Sequence, residues 1–214
     1  MKVLGIACSL RKGSNSQILV EHALASAREV GAETELLTLF GRTMTPCDGC
    51  GSCAKTGICH VKDDLQECIA KVDQSQAVIF GTPVYFWSLA GQAKVVLDRL
   101  YALYRTGKLA NKVGGVIAVA GNVGHMSAVS TYMTFFCASH MLAADFVTAF
   151  GSERGDVRRD RHATQAAWEL GKQVVELASS QFRYPASYPQ PIYQLVRDKH
   201  GIPTSPAKGR FEEQ

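Results

Sequence analysis

Five short apolar runs rich in β-branched residues, at 2–7, 33–39, 77–81, 112–120 and 144–150, alternate along the chain with longer stretches of helical period. That alternation is the strongest constraint on the fold. Strands separated by helices pair in parallel, and a parallel sheet must be covered on both faces. The helices are predicted at 16–30, 63–73, 90–104, 127–139 and 160–181; in the first of these Leu19, Ala23, Ala27 and Val30 share one face. Asp63 is placed to cap the second helix. Thr82-Pro83 is expected to end the third strand, because proline donates nothing to a ladder. Five strand–helix units in about 180 residues predict an α/β, doubly wound, five-stranded parallel sheet in the order 2-1-3-4-5, although two other orders fit the same pattern. The chain shows no internal repeat.

The domain is expected to span 1–181, with a cysteine-rich loop at 44–62 inside the long irregular connection after strand 2. Residues 182–214 differ in composition: they hold five of the seven prolines and three of the seven tyrosines. Tyr184, Tyr188, Ile192, Tyr193, Leu195 and Val196 are a large apolar load for a solvated tail, so the segment is expected to pack on its own domain or on a neighbouring subunit.

Charge and composition exclude some functions. The formal charge of +4 is spread along the chain, with only Arg154, Arg158, Arg159 and Arg161 forming a basic run. That run reads as a solvated helix start, so no nucleic-acid partner is expected. No stretch approaches the roughly 18 apolar residues of a membrane span, and the N-terminus lacks the form of a signal peptide. A cytoplasmic location is therefore expected. Seven cysteines in a reducing compartment point to metal or redox chemistry rather than to disulfides.

In a doubly wound sheet ligands sit beyond the carboxyl ends of the strands, where strand order reverses. The loop after strand 1, Cys8-Ser9-Leu10-Arg11-Lys12-Gly13-Ser14-Asn15-Ser16, runs straight into a helix. Hydroxyls, an amide and free N–H groups at a helix N-terminus form an anion site. Taken by itself, one of Ser14, Asn15 or Ser16 is more simply an N-cap. Across the same switch point, Gly81-Thr82-Pro83-Val84-Tyr85-Phe86-Trp87-Ser88 carries three consecutive aromatics suited to a planar ring system. Gly121 and Gly124, in the loop after strand 4, let main chain approach a ligand closely.

These segments, with Lys94-x-x-x-Asp98-Arg99, resemble the NADPH-dependent FMN reductase family of the flavodoxin-like fold over roughly residues 1–180, most specifically at 81–86. The resemblance implies FMN as ligand. Ser9, Arg11, Ser14, Asn15 and Ser16 would hold its phosphate; Pro83, Val84, Tyr85 and Phe86 would line the isoalloxazine; and Gly121, Asn122 and Gly124 would flank the pyrimidine side. Many family members carry glycine where Trp87 stands, so Trp87 is expected to narrow access to one flavin face.

Cys47, Cys50, Cys53 and Cys59 follow the spacing C-x2-C-x2-C-x5-C. Four thiolates suit a [4Fe–4S] cubane, and the intervening glycines allow turns that aim N–H groups at sulfur. Tetrahedral zinc and a metal-free loop fit the same residues. Joined to the FMN site, the motif resembles the iron-sulfur flavoprotein subfamily, in which these four positions would be the ligands. Strand 2 neighbours strand 1, so the cysteine loop is expected on the same rim as the phosphate loop, with electrons passing to FMN within one chain or across a subunit contact. Cys8, Cys68 and Cys137 read as small core residues, and His60 and His125 as weak candidates for a proton donor.

The functional expectation is a flavin-dependent oxidoreductase that relays electrons from a ferredoxin-like one-electron donor through the cluster to FMN and on to a small acceptor. No side chain stands out as catalytic, and a homo-oligomer, dimer or tetramer, is expected. Two rivals share the residues: an NAD(P)H-dependent FMN or quinone reductase with a structural, zinc-bound or empty cysteine loop, and a non-enzymatic flavin carrier or sensor.

Overall fold

The computed structural model describes residues 1–185. Most of the expected tail therefore lies outside the described residues. At its start, Tyr184 donates its backbone N–H to Asn111 Oδ1 (2.7 Å), and its ring lies 5.1 Å from that of His140.

Five strands, β1 (Lys2–Ala7), β2 (Glu33–Thr38), β3 (Ala77–Tyr85), β5 (Val113–Ala120) and β6 (Leu142–Phe150), form a parallel sheet in the order β2-β1-β3-β5-β6. This is the doubly wound order expected from the alternation. A sixth strand, β4 (Ser88–Leu89), is a two-residue antiparallel return on the end of β3. Every residue of β5 is buried, as a central strand covered on both faces requires. On one face α1 (Asn15–Glu29) and α7 (Arg161–Ser179) pack over Ile79, Val113 and Ile117. The other face carries α3 (Leu65–Gln74), α4 (Gly91–Arg99) and α6 (His125–Ala138) over Leu4, Phe80 and Val116.

Four local expectations are corrected. β3 continues through Pro83 instead of stopping before it, because its ladder with β1 ends at the pair Ala7–Gly81 and pairing with β5 reaches Pro83–Val119. The absent N–H therefore falls beyond the last β1 partner. The helix expected at 90–104 breaks at Leu100 into α4 and α5 (Tyr101–Arg105). The loop after β2 contains a single helical turn, α2 (Cys53–Thr56), closed by Gly57 in the left-handed region. Cys137 is exposed rather than part of the core.

Cys8 and Cys68 are buried, and burial pushes both thiols up to about 12. They are packing residues held as neutral thiols.

Candidate functional site

The loop after β1 ends in Ser14, whose side chain accepts from Gln17 N–H (3.2 Å) and caps α1. The bland reading of this residue is thus correct as far as it goes, and such a cap stabilises a helix by about 1 kcal/mol. The backbone N–H groups of Asn15 and Ser16 have no partner among the described residues. They point from the positive end of a 15-residue helix into a cleft of about 260 Å³. Ser9, Arg11, Ser14, Asn15, Ser16, Pro83, Val84, Tyr85 and Gly121 all line that cleft. The side chains of Ser14 and Ser16 meet there at 3.2 Å, and Ser9 Oγ accepts from Arg11 N–H at 3.1 Å.

Arg154, from the loop after β6, also lines the cleft. Sequence reading set it aside as part of a solvated helix start. Its guanidinium lies over Gly13, where φ is +62° and an added Cβ would fall 2.5 Å from it, so only glycine fits the loop beneath the arginine. Asn15 explains how Arg154 is placed. Its Nδ2 donates to Glu153 O (2.8 Å) and its Oδ1 accepts from Gly155 N–H (2.8 Å), so one amide brackets Arg154 on both sides. Each end of the Asn15 amide is thereby engaged with main chain, while its backbone N–H and one remaining amide N–H have no partner among the described residues. No signal in the sequence links positions 15 and 154.

At the aromatic end, β3 and β4 form a hairpin whose two turn residues are Phe86 (φ 48°) and Trp87 (φ 64°). Two-residue hairpin turns of this hand favour Asn and Gly, so two bulky aromatics there are strained. Phe86 is 91% exposed, and the two rings meet edge to face at 4.8 Å. Phe86, Trp87, Asn122 and Gly124 do not line the cleft. Gly124 lies instead directly against the hairpin, where a Cβ would meet Trp87 Cα at 2.6 Å. Met126, Val123 and Phe150 add exposed apolar surface near this end. His125, at the start of α6, bonds Ala149 O through Nε2 (2.9 Å) and packs on Phe150, so it braces two loops.

Cys47, Cys50, Cys53 and Cys59 converge on a separate groove of about 600 Å³, walled by Leu97, Tyr101, Tyr104, Phe135 and Ser139. Cys53 and Cys59 are buried, while Cys47 and Cys50 are exposed. Burial raises the Cys53 thiol, and so does the charge of Cys59, Cys47 and Cys50 around it. Metal ligation removes exactly that penalty, since a coordinated thiol is deprotonated outright. Gly49, Gly51 and Gly57, at φ of +72°, +70° and +71°, make the reversals that bring the four sulfurs together. His60 pairs with Asp48 (2.7 Å), whose other oxygen accepts from Cys50 N–H (3.2 Å). Among the described residues Asp48, Cys50 and His60 bring one ligand atom each within 4.8 Å of one another. Four thiols on one groove are a donor set that fits an iron–sulfur centre and tetrahedral zinc alike.

The groove does not lie on the rim of the phosphate loop. Its walls are the far ends of α4 and α6, and it shares no lining residue with the first cleft. Ten to fourteen residues of α6 separate Phe135 and Ser139 from its start at His125, about 15–21 Å at 1.5 Å per residue.

A five-stranded parallel sheet in the order β2-β1-β3-β5-β6, with a serine-rich loop entering a helix after its first strand and an aromatic hairpin after its third, defines the class: a flavodoxin-like protein. The chain belongs to the NADPH-dependent FMN reductase family, which it matches over residues 1–151, and within that family to the iron-sulfur flavoproteins. It is 34% identical over 187 residues to an iron-sulfur flavoprotein of Methanocaldococcus jannaschii, covering 83% of this chain and 97% of that protein. It is 31% identical to one from Archaeoglobus fulgidus, covering 87% and 84%. Among solved structures, RosB superposes with a TM-score of 0.72 at 16% identity over 100% of this chain and 96% of that one, a likeness of fold. The Trp repressor binding protein of Bacillus subtilis superposes at 0.61 with 25% identity, over 78% and 99%. The protein is a flavin-dependent oxidoreductase with FMN as its cofactor. No helix among the described residues is long and apolar enough to cross a membrane.

Proposed function

We propose that this protein takes electrons one at a time from a ferredoxin-like donor, by way of a [4Fe–4S] centre on Cys47, Cys50, Cys53 and Cys59, and delivers them through FMN to a small acceptor. The observation that carries the reading is the convergence on one groove of four thiols spaced C-x2-C-x2-C-x5-C. A bound iron–sulfur centre supplies one-electron exchange, and FMN links that to two-electron chemistry.

The chain's own residues set the geometry. Ser9, Ser14, Ser16 and the N–H groups of Asn15 and Ser16 receive the phosphate, with Arg11 and Arg154 supplying positive charge. Pro83, Val84 and Tyr85 hold the ring edge, while Phe86 and Trp87 stand outside it as an apolar rim. Gly121 opens the opposite wall, and Asn122 and Gly124 shape the loop behind it.

The length of α6 between the two sites favours transfer across a subunit contact over transfer within one chain. The exposed rim of Tyr85, Phe86, Trp87, Met126 and Phe150 around one site is the kind of apolar surface that such a contact covers. We read the protein as a homo-oligomer on this basis.

Cys50→Ala tests the assignment. The variant is expected to keep its yellow FMN absorbance and its fold, lose iron and acid-labile sulfide, and be reduced by dithionite but no longer by reduced ferredoxin at the parental rate. NADPH is expected to reduce neither protein quickly. Equal reduction of both by NADPH, with ferredoxin inert in each, would establish the NAD(P)H-dependent reductase instead.

A further inference from the structure

Arg99 closes α4 and is about 1% exposed, the one buried lysine or arginine among the described residues. An arginine does not enter a core for its hydrophobicity; its partners must explain it. All of them belong to the cysteine loop. Nη1 donates to Thr45 O (2.9 Å) and to Asp63 Oδ2 (2.9 Å), and Nη2 donates to Val61 O (3.0 Å) and to Asp63 Oδ1 (3.1 Å). Thr45 lies two residues before Cys47, and Val61 two residues after Cys59. The buried Nε of Arg99 has no hydrogen-bond partner among the described residues. Asp63 completes the clasp by accepting from Thr45 N–H (2.7 Å).

We propose that Arg99 is the positioning residue of the iron–sulfur site: one planar fork pins both ends of residues 45–61 and sets a buried positive charge, paired with Asp63, at the base of the loop that carries the four cysteines. The inference rests on the cluster reading for its second half only, since the clasp exists without metal. Two physical consequences follow. Closing the loop at its base removes much of the conformational freedom that the four thiols would otherwise lose on binding metal, so the site is preorganised. A four-thiolate iron–sulfur centre is an anion that gains further negative charge on reduction. Arg99 offsets the buried Asp63 carboxylate near that anion, so relative to a neutral side chain it favours the reduced state and raises the potential.

Lysine keeps the charge but cannot make the four-way fork, whereas methionine keeps approximate volume and loses both. Anaerobically purified parent, Arg99→Lys and Arg99→Met would be compared by hydrogen exchange of residues 45–61, iron and sulfide content, an EPR-monitored redox titration, and FMN titration. Arg99→Lys is expected to speed exchange in 45–61 at least tenfold while holding the potential near that of the parent. Arg99→Met is expected to speed exchange as much, to shift the potential negative, and to lose iron to a chelator at least tenfold faster. FMN affinity should stay unchanged in both, which separates these effects from general misfolding.

Parental exchange and parental potential in both variants would overturn the proposal, leaving Arg99 a core residue without bearing on the site. If Arg99→Met fails to fold, the exchange of Arg99→Lys still decides the clasp. If the parent itself holds no iron, the cluster reading fails, yet unchanged exchange in the metal-free variants would separately refute the clasp.

Discussion

Asn15 and Arg154 are 139 positions apart, yet they act as one unit. Asn15 lines the cleft, and its amide also bonds the main chain at Glu153 and Gly155, so it positions the arginine between them. Arg154→Ala removes a contact to a charged group, for which about 1.5–3 kcal/mol is usual. FMN affinity is therefore expected to fall by roughly ten- to a hundredfold. Asn15→Ala should weaken FMN less, by about tenfold, through a mobile Arg154. Riboflavin, which lacks the phosphate, should bind all three proteins alike. Fluorescence titration with both flavins checks this, and a parallel loss of riboflavin would mean that the fold of the cleft, not the phosphate contact, had been damaged. Ser14 is a poor probe of the same question because its hydroxyl also caps α1. Residue types alone located the phosphate loop, since hydroxyls ahead of a helix have few other uses. They could not reveal the division of labour, which depends on what lies across the cleft.

Among the elements, the packing of α1 on α7 is what holds the phosphate loop against the sheet. The two helices approach so closely that a Cβ on Gly171 would sit 2.0 Å from Ala23 O, a backbone atom that no rotamer change can move away. Ser26 Oγ also bonds Trp168 O across this contact (2.5 Å). Gly171→Ala must push the helices apart, so it is expected to destabilise the protein by about 3 kcal/mol, at the upper end of the overpacking range. Because α1 carries Ser14 and Ser16 at its end, FMN affinity should drop as well. Chemical denaturation and flavin titration of the same sample would show both effects. A stable variant with parental affinity would mean that the helices do not meet at Gly171. The same scale shows where local signals mislead. Pro83 reads as a strand terminator only if both neighbouring strands are still present at that level, and β1 has already ended. The hairpin at Phe86-Trp87 has no turn signal at all, because its left-handed residues are aromatics rather than Asn-Gly.

For the whole molecule, the cleft assigned to FMN and the groove proposed to hold the cluster share no lining residue, and the groove meets α6 at its far end. Electron transfer slows exponentially with distance, so a chain acting alone would pass electrons between them poorly. Stopped-flow reduction by ferredoxin at decreasing protein concentration tests this. Flavin reduction is expected to slow severalfold as the oligomer dissociates, while reduction of the iron–sulfur centre keeps its second-order dependence on ferredoxin. Flavin reduction independent of dilution, in a sample shown by light scattering to be monomeric, would place the whole relay in one chain.

The alternation of apolar runs with amphipathic stretches determined the parallel sheet, while the residue types after the first strand and the C-x2-C-x2-C-x5-C spacing marked a candidate phosphate loop and a candidate metal loop, because each depends on neighbours close along the chain. Period, spacing and helix-start chemistry are local properties. The tertiary structure alone decided that the cysteine loop runs away from the phosphate rim, that Arg99 clasps it and that Asn15 serves Arg154. Each of those is a contact between segments tens of residues apart, set by how helices pack on a twisted sheet. Nothing in a single stretch of sequence encodes that packing.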